Sequence, residues 1–252
     1  MGLLNKLGIG TGSQSRRDVS RPAPTPAVSG SRGNNRDVSL PAVGSTRAPE
    51  QQSSRYSNGL KEFLWNLDGL GRGTLLDLGP AWQTTLTFFI ERGFRVSSDD
   101  LLRSWKIFLD EEETRLKNAV SSGETEDLTP SGRATRFMQQ NLQYPASSFD
   151  AVLLWDVLDY LEPLVAKQAA ACVMELLRPG GVVFAMFHSK KPESFQRYRI
   201  ADSSTLQLIS AAPICPAQRV YQNREIQELF GHFRTMKSFV GRDQLRESLF
   251  IK

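Results

Sequence analysis

Three side chains in this sequence are placed where proton-transfer chemistry could be done. His188 follows directly on the apolar run Val182 to Phe187, and an imidazole with an ordinary pKa of about 6.5 can take a proton from an oxygen or nitrogen near neutral pH. Asp156 follows the apolar run ending at Trp155, and Tyr160 lies just beyond it. Each also has a plainer use. A histidine at a strand end often serves as a hydrogen-bonded packing residue, and an aspartate there can cap the next helix by accepting backbone N–H bonds. The Tyr160 ring is expected to pack with its hydroxyl at the solvent edge. A second group is Asp77 and Gly79 in Leu75-Leu76-Asp77-Leu78-Gly79, with Asp100 lying 23 residues after Asp77. An acid about 20 residues beyond a strand–glycine loop can accept both hydroxyls of a ribose. Asp99 competes for that role. Cys172 and Cys215 form neither a CxxC pair nor a cluster with His188 and His232, so no metal site is expected.

Alternating helices and strands must hold these residues. Leu60, Phe63, Leu64 and Leu67 recur at helical spacing before Gly71 and Gly73 break the pattern. Thr74 to Gly79 is a nearly continuous apolar run, the look of a parallel strand buried on both faces. A helix over 84–92 ends at Gly93, a strand over 94–98 leads into Asp99-Asp100, and a charged helical stretch covers 101–120. Residues 121–134 read as an exposed loop and 136–139 as a short strand. Strands at 149–155 and 182–187 flank a helix that starts at Pro163, has Cys172 on its packing face and stops at Arg178-Pro179-Gly180-Gly181. Asn223 is a suitable N-cap for a further helix. The last strands, 236–240 and 247–251, are joined too closely to be parallel and must pair as a hairpin. The pattern predicts an α/β, Rossmann-like doubly wound sheet over residues 57–252, mostly parallel, with helices on both faces and an antiparallel C-terminal hairpin.

Residues 1–56 are of another composition. They hold nine Ser, seven Gly and five Pro and no aromatic before Tyr56, whereas all fourteen Phe and all four Trp lie beyond. Such a segment buries too little to offset its ordering entropy and is read as a disordered tail. It carries eight basic residues against three acids, +5 of the chain's net +4, leaving the rest at −1. Arg17-Asp18-Val19-Ser20 recurs as Arg36-Asp37-Val38-Ser39. Nucleic-acid contact through this basic tail stays open, weakened by interleaved acids. No apolar stretch approaches the ~20 residues of a membrane span and the start lacks a secretory signal, so a cytoplasmic protein is expected.

Five pieces in order resemble the class I S-adenosylmethionine-dependent methyltransferases: Leu75-Leu76-Asp77-Leu78-Gly79, Asp100 after the second strand, Phe149-Asp150-Ala151-Val152, Val157-Leu158-Asp159-Tyr160-Leu161, and Leu177-Arg178-Pro179-Gly180-Gly181. The resemblance implies S-adenosylmethionine as cofactor, methyl transfer to an unidentified acceptor, and a cofactor site of Asp77, Gly79, Pro80, Ala81, Asp100, Asn141 and Asp156. Asn141 stands where the family often has an acid near the adenine. His188, Asp156 and Tyr160, at the carboxyl ends of the later strands, are the implied catalytic candidates.

The chain departs from the family at the glycine loop. Gly79-Pro80-Ala81-Trp82-Gln83 keeps one of three customary glycines, and Pro80 removes an N–H donor. A non-catalytic scaffold that has lost the cofactor is therefore the alternative. Trp82 and Trp155, at the ends of neighbouring strands, could wall a pocket or simply pack. Residues 190–222 form an insertion of the kind that faces substrate, and Arg197 and Arg199 within it suit either an anionic acceptor or a solvated strand face.

Overall fold

The computed structural model describes residues 52–122, 129–241 and 243–252. A six-stranded sheet is built from β2 (Gly73–Asp77), β3 (Phe94–Ser98), β4 (Phe149–Trp155), β5 (Leu177–His188), β8 (Thr235–Val240) and β9 (Leu245–Ile251), in the order β3-β2-β4-β5-β9-β8. The first four run parallel, and β9 lies antiparallel between β5 and β8. The expected Rossmann-like sheet with its closing hairpin is present. Helices α1 (Asn58–Leu67), α2 (Gln83–Ile90), α3 (Leu101–Ser122), α4 (Pro130–Asn141), α5 (Pro163–Leu176) and α6 (Asn223–Leu229) complete the set. Among the described residues no helix is long and apolar enough to cross a membrane.

The chain leaves β2 for β3 on one side and returns past β2 to β4 on the other. Asp77 and Trp155 therefore end two neighbouring strands at the point where the strand order reverses, which is where open α/β sheets bind ligands. Both strands are buried nearly throughout, as their apolar runs require. Cys172 is half-buried on α5 and packs against the core.

Four expectations are corrected. The strand expected at 136–139 and the end of the loop before it are α4. Thr129 accepts the N–H of Gly132 as an N-cap and Pro130 occupies the first turn, a start signal that outweighs the short apolar run. Phe137 of that helix packs edge-on against Trp105 and Phe108 of α3, at 4.9 and 5.4 Å between ring centres. Residues 52–56, expected to belong to the tail, form β1 (Gln52–Tyr56); residues 1–51, with the repeat and the nucleic-acid reading, lie outside the described residues. The β5 strand begins at Leu177, through the Pro-Gly-Gly segment expected to precede it. The cap of α6 is Gln222, paired with Glu225, rather than Asn223.

The 190–222 insertion contains β6 (Gln196–Ile200) and β7 (Thr205–Ser210), which join β1 in a second, antiparallel sheet ordered β1-β7-β6. Arg55 on β1 ties this sheet to the first through ion pairs with Asp243 at 3.0 Å and with the buried Glu247 at 2.9 Å.

If α4 is a packed helix, Phe137→Ala should lower the unfolding free energy by about 3–5 kcal/mol, the scale for truncating a buried phenylalanine. Urea titration checks this; a loss below about 1 kcal/mol would return the segment to an exposed loop.

Candidate functional site

Asp77 closes β2 inside the sheet and is wholly buried. Its Oδ1 accepts the N–H of Gly79 at 2.9 Å and the indole Nε1–H of Trp155 at 2.7 Å. Its Oδ2 is buried without a partner among the described residues. Burial pushes this carboxyl up to about 6, and the two hydrogen bonds hold it from rising further.

Trp155 reaches Asp77 because its backbone sits in the left-handed region, at φ 52°, a conformation that costs energy in a bulky residue. A Cβ placed on Gly79 would lie 2.6 Å from the indole, so only glycine fits there. The tyrosine ring of Tyr198 stacks on Trp155, with centres 6.0 Å apart and planes 10° from parallel. Gly79 thus admits the chain's own tryptophan to the space beside the loop. Pro80 is partly buried, Ala81 is exposed, and the exposed Gln83 donates to Thr87 within α2. Arg199 lies over the Trp82 ring.

Asp100, just beyond β3, caps α3, its Oδ1 accepting the N–H of Arg103 at 3.2 Å. Arg197 of β6 donates to both its oxygens, at 3.0 and 3.2 Å. Asp99, the competing acid, accepts the Tyr144 hydroxyl at 2.6 Å. Asn141 ends α4 and donates to the Phe137 carbonyl at 2.9 Å; the strand end on which its adenine role was expected is absent. Arg197 is buried and so leaves the solvated strand face allowed for it, whereas Arg199 is half-buried and donates to Gln207 across β6 and β7.

The catalytic candidates do converge. Asp156 is buried, accepts the Tyr198 hydroxyl at 3.0 Å and makes no helix cap. Burial, opposed by His188 and reinforced by Asp159, pushes its carboxyl up to about 7. His188 donates its backbone N–H at 2.7 Å to Asp159 Oδ2, and its Nδ1 lies 2.9 Å from the same oxygen. Its Nε2 is 3.9 Å from Asp156 Oδ2. Burial works against charging this imidazole, but Asp159 and Asp156 outweigh it and raise its pKa above the ordinary value. Tyr160 stands edge-on to His188 and to Phe195, with its hydroxyl buried and without a partner among the described residues rather than at the solvent edge.

Sequence reasoning missed Asp159, Tyr198 and Arg55. Asp159 is three residues after Asp156 in a 3₁₀ turn, where positions i and i+3 eclipse, so their shared face was discoverable. Nothing local marks Tyr198 or Arg55, whose partners are distant in sequence.

No protein-family model matches the chain, and no curated protein matches it. Solved structures do. A Burkholderia thailandensis 1,6-didemethyltoxoflavin-N1-methyltransferase with bound 1,6-didemethyltoxoflavin and S-adenosylhomocysteine is 18% identical, over 78% of this chain and 79% of that one, at a TM-score of 0.42. The PH0226 protein of Pyrococcus horikoshii is 16% identical over 78% and 94%, at 0.41. A Mesorhizobium loti S-adenosylmethionine-dependent methyltransferase is 14% identical over 76% and 96%, at 0.43. Likeness at this level says nothing of this chain's ligand.

The Asp77 carboxyl has a raised pKa in the fold, so the stability it brings is fully present below the unfolded value near 4 and is lost as pH rises through about 6. Asp77→Asn keeps an oxygen for Gly79 and Trp155 and removes the charge. The variant should be more stable than the parent by about 2–3 kcal/mol at pH 8, with the difference closing by pH 4, in urea titrations at both pH values.

Proposed function

We propose that the chain binds S-adenosylmethionine in the crevice between β2 and β4 and transfers its methyl group to a small acceptor. The observation that carries this reading is the Asp77 carboxylate: buried at the switch point of the sheet, with one oxygen unpartnered and no Lys or Arg among the groups acting on it. A buried anion in that state calls for a cation. S-adenosylmethionine bears an ammonium and a sulfonium.

When bound, it supplies a methyl carbon that bonds to the acceptor's lone pair while the carbon–sulfur electrons stay on sulfur, and the acceptor's proton must then pass to a base of this chain. Asp77 would hold the cationic end, the main chain of Gly79, Pro80 and Ala81 would line the site, and Asp100 would accept the ribose hydroxyls in place of Arg197. His188, held by Asp159, would take the acceptor's proton at Nε2, with Asp156 3.9 Å from that nitrogen and Tyr160 edge-on to the ring. Positioning supplies most of the acceleration in such a displacement.

A second reading is favoured by a specific observation: Trp155 already lies against Gly79, and Arg197 already neutralises Asp100. On that reading Trp155 of β4 and Arg197 of the second sheet have replaced the ligand for good and the domain is a non-catalytic interaction scaffold.

Calorimetry with S-adenosylmethionine and S-adenosylhomocysteine separates the two. Binding by the parent chain, roughly three- to tenfold tighter in Arg197→Ala and at least about tenfold weaker in Asp77→Asn, is the expected result. Absence of heat at millimolar ligand in both the parent and Arg197→Ala would leave the scaffold.

A further inference from the structure

β6 is an outer strand of the second sheet, yet Arg197, Tyr198 and Ile200 are all buried, so both of its faces are covered. We infer that β6, carried by β7 and β1, is an autoinhibitory cover that competes with the cofactor and lifts away as one piece when the cofactor binds; its inhibitory role rests on the function proposed above, its mobility does not.

An outer strand ordinarily leaves its free N–H and C=O groups to water or to another chain. Here the free edge of β6 is turned to the main domain, since Ile200 donates its N–H to Thr85 Oγ1 of α2 at 3.0 Å. The side chains before it each take hold of a different element. Arg197 pairs with Asp100 at the start of α3, the Tyr198 hydroxyl donates to Asp156 beyond β4, and Arg199 lies over Trp82 ahead of α2. Two of these grips fall on groups that the cofactor would need. Arg197 neutralises Asp100, and the Tyr198 ring, stacked on Trp155, backs the indole that lies against Gly79. β6 and the ligand therefore compete for the same groups.

The cover is a unit of its own. β6 and β7 pair continuously from Gln196 opposite Ser210 to Ile200 opposite Leu206, and β1 pairs with β7 from Gln52 to Tyr56. No backbone ladder joins this sheet to the main one. The two are held by the grips above, by the packing of Ile200, Leu206 and Leu208 into the core, and by Arg55, whose ion pairs with Asp243 and Glu247 form a latch at the β1 side. Arg55 and Ile200 oppose the same residue, Leu206, from its two sides, so latch and clasp lie on one cross-strand row. Apolar packing makes the open form the minor one, and a ligand that needs the open form binds more weakly in proportion to its population. Loosening Arg55 raises that population from a distance, without touching a group that meets the cofactor.

Hydrogen exchange read by mass spectrometry tests the cover on the full chain. The double variant Arg55→Met/Glu247→Gln undoes the latch without stranding a buried charge, and its glutamine keeps an oxygen for the Gly59 N–H. Segment 196–210 should exchange about tenfold faster than in the parent, with 149–155 and 182–187 unchanged, and S-adenosylhomocysteine should bind at least about threefold more tightly by calorimetry. Saturating S-adenosylhomocysteine should also speed exchange of 196–210 in the parent, the reverse of the protection a ligand gives to a strand that closes on it. If 196–210 exchanges only as fast as 149–155 and 182–187 in both proteins, the cover opens only with global unfolding and the inference falls, whatever the calorimetry shows. If 196–210 opens but both proteins are silent in the calorimeter, the cofactor reading falls and takes the inhibitory role with it, while the hinged sheet stands. Binding that is equal in the two proteins overturns the inhibitory role and leaves the cofactor reading intact.

Discussion

Carboxylates buried within a sheet or at the ends of its strands must be partnered, and the second sheet of this protein is organised around that demand. Asp100, Asp156 and Glu247 all belong to the main sheet or its loops, and each meets one side chain from β1 or β6: Arg197, Tyr198 and Arg55 respectively. Removing one partner of a buried ion pair typically costs about 3–5 kcal/mol, because the other charge is left in an apolar setting. Those three contacts, with Ile200 N–H donating to Thr85 Oγ1 at 3.0 Å, fasten the small sheet over the carboxyl ends of the parallel strands. Asp77 is the buried acid that receives no side chain from the second sheet, its donors being Gly79 and Trp155.

That asymmetry explains why one geometry supports both an enzyme and a scaffold. Trp155 offers Asp77 a hydrogen bond and fills the volume beside Gly79, but an indole brings no positive charge. The site is satisfied sterically and left wanting electrostatically. Strain is held in the same place, since Trp155 keeps a left-handed backbone that nothing in its own side chain favours.

Much of the fold was legible because buried parallel strands announce themselves as short apolar runs, and those of β2, β4 and β5 are long enough to be unambiguous. The hairpin of β8 and β9 followed from connection length alone. The error at α4 arose because Arg136 to Gln139 is too short for periodicity to decide, while the informative residues, Thr129 and Pro130, precede it. The site was legible residue by residue but not as a set of contacts. Asp77, Asp100, Asp156 and His188 could be placed at strand ends, but no local pattern pairs Asp100 with Arg197 or Asp156 with Tyr198, because those pairings depend on how a distant hairpin folds back. The plug in the crevice likewise came from Trp155, across the sheet, rather than from the loop residues Trp82 and Gln83 whose bulk the sequence displays.

The pairing of β1 with β7 matches Gln52 to Ile209, and this register has a consequence for how the molecule is made. During translation β1 leaves the ribosome early and waits without a strand partner until most of the domain has followed it. The small sheet is thus closed by a pairing about 150 residues apart in sequence, with β2, β3, β4 and β5 lying between the two strands that form it, and such long-range pairing costs more loop-closure entropy than a local hairpin would.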